Sequence, residues 1–279
     1  MTVVMALTVS AVLTMSGIAQ EIPPATPVPA PIATPVTNPV LENTGKPVLL
    51  PFQCTMEDTA SLGLSCSETE PCAIYLELTA VESSGSRIFA AGNIHSAAIT
   101  MYTVLLASDD QGHTWREVAD RVRGAGLDRI QFLDAETGWA SGETLSPITQ
   151  DPFLMITTDG GKTWRTRPIF EESRESRYGS IQQFFFAAKD SGTLIVDRGA
   201  GSDGDRYELY ESPNSGESWN IKETSNKPLK LKRTAAPSTE WRVRTDARTQ
   251  AFHLEHKQGA TWTTVTAFAV KLAPCKPGQ

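Results

Sequence analysis

Four short segments of this chain end on tryptophan in the same way. Ser108-Asp-Asp-Gln-Gly-His-Thr-Trp115 reads S-x-D-x-G-x-x-W, and Thr157-Thr-Asp-Gly-Gly-Lys-Thr-Trp164 repeats it with Thr for Ser. Ser212-Pro-Asn-Ser-Gly-Glu-Ser-Trp219 follows, with Asn214 where the first two have Asp. Glu255-His-Lys-Gln-Gly-Ala-Thr-Trp262 keeps only Gly259 and Trp262. The tryptophans stand 49, 55 and 43 residues apart and are four of the six in the chain. A repeat of this period points to units that are each one supersecondary element, packed on their neighbours to form a core.

Each octapeptide has a local physical logic. The chain must reverse between two strands, and Gly112, Gly161, Gly216 and Gly259 supply a backbone conformation closed to residues with a Cβ. Asp110, Asp159 and Asn214 can accept hydrogen bonds from the turn's own amides and from the hydroxyls of Ser108, Thr157 and Ser212. Trp115, Trp164, Trp219 and Trp262 begin the next strand and are expected to bury a ring beneath the turn. These are structural roles, and none needs a substrate.

The rest of the repeat is strand-like. Short runs of β-branched, aromatic and alternating residues recur, among them Ala73–Val81, Arg87–Gly92, Met101–Ser108, Arg129–Leu133, Phe153–Thr158, Gln182–Ala187 and Tyr207–Glu211. Gly, Asp, Asn and Ser punctuate them, and no long segment has helical period. The segment Ile130–Gly142 reads as two strands around a Gly-containing turn, with looser copies at Leu78–Gly92 and Ile181–Gly192. Four antiparallel strands in about 40–50 residues make one propeller blade. The expected fold is all-β: a β-propeller of about four blades of four antiparallel strands, at residues 73–122, 128–170, 180–224 and 229–268. Residues 46–52 and 269–273 are extra strands that close the ring or belong to a fifth blade.

The ends of the chain point to export. Residues 1–19 read as a signal peptide: an apolar run ends in Gly17-Ile18-Ala19, with small residues at the cleavage positions. The run is too short to span a bilayer, so no stable membrane span is expected after cleavage. It lacks the usual preceding Lys or Arg. Residues 20–44 are a Pro-rich linker with seven prolines from Pro23 to Pro39, suited to extended polyproline II. Residues 45–279 form the propeller domain. Cys54, Cys66, Cys72 and Cys275 are an even set in an exported chain, so two disulfides are expected. Of the three possible pairings, each ties Cys275 to the N-terminal cluster. The implied compartment is secreted or periplasmic.

The octapeptides resemble the Asp boxes of the bacterial neuraminidase repeat (BNR) family, within the sialidase superfamily. The pair Ile130–Gly142 and Ile156–Trp164 is most similar to repeats of photosystem II stability/assembly factor-like proteins. The resemblance covers roughly residues 73–262. It implies a propeller whose boxes are structural hairpins away from any active site. Members include sialidases, receptors and assembly factors, so it implies no single activity. Sialidases of the family carry an Arg-Ile-Pro motif; the nearest run here, Arg87-Ile88-Phe89, lacks the proline.

No catalytic or metal-ligating motif stands out. Asp109 and Asp110 lie in the first octapeptide; Glu171, Glu172 and Glu175, and Asp203 and Asp205, lie in loops where solvated acidic clusters are ordinary. Ser202-Asp-Gly-Asp205 lacks the further ligands of a calcium loop. His253 and His256, three apart on a strand, face opposite sides and cannot chelate one metal. Lys227-Pro-Leu-Lys-Leu-Lys-Arg233 alternates as a half-buried strand would. The formal charge of −7 argues against nucleic acid as partner. The reading is therefore an exported non-catalytic scaffold that binds a protein or glycan partner and needs no cofactor. Its candidate surface is the longer loops 94–99, 143–151, 170–178 and 198–206. The alternative is a sialidase-like glycoside hydrolase on the same fold. It requires two or three carboxylates converging at the mouth of the central channel.

Overall fold

The computed structural model describes residues 38–145, 151–170, 179–202, 204–231 and 240–276. The export signal and most of the linker lie outside these residues. So do Glu171, Glu172, Glu175 and Asp203.

The chain is a four-bladed β-propeller. The first blade is built from β2 (Ile74–Ser84), β3 (Arg87–Ser96), β4 (Thr100–Ser108) and β5 (Thr114–Glu117). The second is β6 (Ala125–Phe132), β7 (Gly138–Thr144), β8 (Asp151–Thr157) and β9 (Arg165–Pro168). The third is β10 (Ser180–Ala188), β11 (Ser191–Asp197), β12 (Tyr207–Ser212) and β13 (Asn220–Ser225). In each blade consecutive strands pair antiparallel, so the order in the sheet is the order in sequence. The fourth blade has three strands among the described residues: β14 (Trp241–Asp246), β15 (Ala251–Gln258) and β16 (Thr261–Ala269). The expected strand at Lys227–Arg233 is absent from the described part of that segment, residues 227–231, which is irregular and mostly exposed. Its alternation is broken by Pro228, which cannot donate to a ladder.

Shared apolar cores join the blades. Ala91 and Leu105 of the first blade pack with Leu127, Ala140, Phe153 and Met155 of the second. Trp139, Leu154 and Ile156 of the second pack with Phe184, Phe186, Leu194 and Tyr210 of the third. Leu254 and Phe268 of the fourth pack with Ile74, Leu76, Leu106 and Trp115 of the first. Among the described residues no such cluster joins the third blade to the fourth.

The ring is closed where the chain's two ends meet. The short strand β1 (Leu41–Glu42) pairs with β5, giving the first blade a fifth strand, and Val48 bridges in parallel to Phe268 on β16. Residues 38–44 of the expected linker thus belong to the folded domain. Beyond β16, Lys271 bridges to Tyr75 and Cys275 to Cys72. The disulfides are Cys54–Cys275, 221 residues apart, and Cys66–Cys72. The expected extra strands close the ring; they do not build a fifth blade. One short helix, α1 (Met56–Leu62), escaped periodicity because it has under two turns. Its capping box is present, with Thr55 and Asp58 exchanging side-chain and backbone hydrogen bonds. No described helix is long and apolar enough to cross a membrane.

Candidate functional site

The octapeptides occupy one end of the blades, between the third and fourth strands. In the first, Ser108 Oγ donates to Asp110 Oδ1 at 2.8 Å and accepts from the Gly112 amide at 2.8 Å. Asp110 also accepts from the Thr114 amide (2.8 Å) and hydroxyl (2.6 Å). Thr157, Asp159, Gly161 and Thr163 reproduce this network. In the third, Asn214 accepts from the Ser218 amide and donates its own Nδ2–H to the Ser218 hydroxyl. The Thr114 hydroxyl and amide bonds hold Asp110 down at about 2. For Asp159, partial burial works the other way, but hydrogen bonds from Thr163, Thr157 and Lys162 prevail and hold it at about 2 as well.

Each of these three turns also docks on the preceding blade. A Cβ on Gly161 would meet the Phe89 ring at 2.4 Å, and one on Gly112 would meet Val265 of the fourth blade at 2.4 Å. Gly216 approaches Leu154 and Ile156. The fourth segment differs. It is a two-residue hairpin at Gly259 and Ala260, since Gln258 pairs with Thr261. A Cβ at Gly259 would meet open space. Trp262 is half-buried, with the Arg242 guanidinium 4.2 Å over its ring, and does not sit beneath the turn as expected.

The other proposed groups are structural. Asp109 pairs with Arg87 and Arg116. Asp205 accepts from Thr224 and Asn226. His253 lies against Thr264, while His256 stacks on Trp241 at 4.5 Å. No group of three or more potential ligands for a metal occurs among the described residues.

The opposite end of the first three blades carries a cavity of about 370 Å³. It lies where the first strands β2, β6 and β10 converge with β3 and β7. Its acidic lining is Glu77 on β2, Asp128 on β6 and Glu143 on β7. Thr79, Ser141, Ser180 and Asn93 add hydroxyls and an amide. The expected loops 94–99, 143–151 and 198–206 leave the blades at this same end, because they join second strands to third. Phe170, the one described residue of the connection 170–178, which joins one blade to the next, also lies here. Residues 146–150 and 171–178 are outside the described set.

Local geometry explains the convergence. Each first strand has a β-bulge at the same height: between Leu78 and Ala80, between Leu127 and Arg129, and between Ile181 and Gln183. A bulged residue is unpaired and its side chain is re-aimed. Here the bulged residues are Thr79, Asp128 and Gln182, all polar. Asn93 locks the first blade to the second, accepting from the Leu127 amide at 2.7 Å and donating to its carbonyl at 3.3 Å. Thr79 donates to that carbonyl at 3.0 Å.

The cavity's electrostatics divide its carboxyls. Burial pushes Glu143 above its ordinary value, a hydrogen bond from Ser180 partly offsets this, and the nearby Asp128 charge raises it further. Asp128 is mostly exposed and ion-paired with Arg129 at 2.8 Å. Ser141 is 1% exposed and its hydroxyl has no hydrogen-bond partner among the described residues.

Sequence reasoning looked for carboxylates in turns and loops and missed Glu77 and Asp128, which lie within strands; it named Glu143 only as the edge of a loop. The available signal for Asp128 was a polar residue at the same point in successive first strands, just after Leu78, Leu127 and Ile181; none marked Glu77.

No protein-family model matches the chain, and neither does any curated protein. Solved structures do. A GH93 α-L-arabinofuranosidase of Fusarium graminearum bound to arabinobiose aligns with a TM-score of 0.38 at 13% identity, over 81% of this chain and 65% of that one. A Penicillium chrysogenum α-L-arabinanase bound to arabinobiose aligns with a TM-score of 0.36 at 14% identity, over 82% and 65%. The chain spans less than two thirds of the length of these structures.

Proposed function

We propose that this is an exported carbohydrate-active propeller whose saccharide site is the cavity at β2, β6 and β10. One observation carries the reading. Glu143, raised by burial, and Asp128, ion-paired with Arg129 and open to solvent, line a single cavity on neighbouring strands. Cleaving a glycosidic bond needs one carboxyl that holds its proton at working pH and a second that is ionised. Glu143 fits the first role, protonating the leaving oxygen, and Asp128 the second. Ser141, Ser180 and Thr79 supply hydroxyls of the kind that hydrogen-bond sugar hydroxyls.

The resemblance to BNR-type repeats is compatible with this placement, since it puts the boxes away from the chemistry. Export is supported by the two disulfides. A second reading, a scaffold that binds a glycan or protein partner without turnover, is favoured by how open Glu77 and Asp128 are to solvent. Hydrolysis assays on a panel of aryl glycosides and plant polysaccharides separate the two. Glu143→Gln is expected to lower turnover about 10²-fold or more, with binding retained. Glycan binding with no turnover of any substrate by the wild-type protein would favour the scaffold.

A further inference from the structure

The two disulfides meet at one pair of residues. Cys72 and Cys275 are direct antiparallel partners, and each donates its amide to the other's carbonyl, at 3.2 and 2.9 Å. They are nonetheless not bonded to each other: Cys72 is joined to Cys66, and Cys275 to Cys54. All four cysteines pack in or against the apolar cluster shared by the first and fourth blades. In an antiparallel pair with both hydrogen bonds the Cα atoms stand about 5.5 Å apart. A disulfide spans Cα separations of about 4.4–6.8 Å. The backbone therefore holds Cys72 and Cys275 at bonding distance for a pairing that the oxidised chain does not use.

The two bonds differ in access. Cys54 is 5% exposed and Cys275 0%. Cys66 and Cys72 are half-buried, and the loop between them, residues 67–71, is exposed throughout. Exchange requires a thiolate to reach a disulfide sulfur, so a reductant in solution meets the Cys66–Cys72 bond first. Its reduction leaves a thiol on Cys72 beside an intact Cys54–Cys275 bond.

We propose that the four cysteines form a disulfide relay that unlatches α1 while keeping the ring stapled. A dithiol reduces Cys66–Cys72 and leaves as its own cyclic disulfide. Cys72 then gives up its proton, and its thiolate attacks Cys275 Sγ. The Cys72–Cys275 bond forms, the Cys54–Cys275 bond breaks, and Cys54 leaves as a thiolate that takes up a proton. In the balance the dithiol is oxidised and the protein gains two thiols, on Cys54 and Cys66. Those two residues bracket α1, so its segment loses both covalent anchors and keeps contacts such as that of Asp58 with Tyr102. Cys275 stays bonded to the N-terminal cluster throughout, first to Cys54 and then to Cys72.

The test is to give the wild-type protein an equimolar amount of dithiothreitol at about pH 8, where thiols are partly ionised. Alkylation then traps the free thiols, and peptide mass spectrometry maps the bonds. The two-thiol species is expected to carry Cys72–Cys275, with alkyl groups on Cys54 and Cys66. Its amides should exchange deuterium faster in α1 than those of the oxidised protein and at an unchanged rate in β16. Cys66→Ser, which frees the Cys72 thiol without any reductant, should show the same Cys72–Cys275 bond and a free Cys54. A two-thiol species alkylated on Cys66 and Cys72, with Cys54–Cys275 intact, would overturn the relay. Loss of both disulfides in a single step would do the same. Unchanged exchange in α1 would overturn the unlatching. The wild-type reduction decides the question even where the serine variant fails to fold.

Discussion

The two ends of the same strands are built on opposite principles. At the octapeptide end nearly every polar group is paired: Ser108 with Asp110, Thr157 with Asp159, Ser212 with Asn214. The turns press their glycines onto the preceding blade. At the cavity end, among the described residues, Ser141 Oγ has no partner and Glu77 has no cation, and Glu143 is raised by burial. The first arrangement stabilises the ring. The second tolerates a cost in stability, which is the usual condition of a site that awaits a ligand. The fourth turn sharpens the lesson. It reverses the chain as well as the others, yet its glycine meets no neighbour among the described residues, and it has lost the Ser and Asp. The motif is therefore tied to docking between blades, since a reversal alone needs only Gly259.

The contrast can be broken by substitution, and the largest effect belongs at the docked end. Trp115 is 1% exposed and its indole N–H donates to Thr266 of the fourth blade at 3.1 Å. Trp115→Ala should cost about 3–5 kcal/mol in urea unfolding, whereas Trp262→Ala, at the undocked turn, should cost well under half of that.

Glycine substitutions come next. Gly161→Ala forces a Cβ into the Phe89 ring at a φ of +77° and should cost about 2–4 kcal/mol. Gly259→Ala meets only the strain of its φ of +62° and should cost about 1 kcal/mol. Equal losses at the two sites would remove the distinction between docked and undocked turns.

Acid should act with opposite signs at the two ends. Asp110 and Asp159 are held at about 2, below the ordinary 3.8. Their contribution is complete above about pH 4 and disappears as the pH falls through about 2. Asp159→Ala should cost about 1–2 kcal/mol at neutral pH. Asp159→Asn, borrowing the residue that the third turn uses, should flatten the acid loss in a pH series of unfolding midpoints. Glu143 is raised, so the folded state gains relative stability as Glu143 takes up a proton, and loses it as the pH rises through its elevated value.

The smallest expected change in stability is at the cavity. Ser141→Ala removes an unpaired buried hydroxyl and should leave the melting temperature unchanged or slightly higher. A clear loss of stability would show that the hydroxyl is paired in solution and is not reserved for a ligand.

Much of the fold was legible because its determinants are local. Alternating residues gave the strands β2, β3, β4, β8, β10 and β12 close to their observed limits, and the octapeptides marked where third strands turn into fourth. The failures have physical causes as well. The run Lys227–Arg233 reads as a strand, but Pro228 breaks its alternation and the described residues 227–231 are irregular and mostly exposed. Trp262 keeps its place in the motif, yet it is half-buried under the Arg242 guanidinium of its own blade. The linker's end was set too late because Leu41 is one buried residue in a proline-rich stretch, and only its pairing with Trp115 shows that it belongs to the sheet.

The candidate site was much less legible. Glu77, Asp128 and Glu143 come from three strands of two blades, and nothing in their spacing relates them. Strand length, turn type, the repeat and the even set of cysteines were properties of the sequence by itself, since each depends on residues within one turn or one hairpin. Which cysteines pair, which turns dock, and which carboxyls share a cavity were decided by the closing of the ring. Those relations join residues up to 221 positions apart, and a linear pattern carries no distance between them.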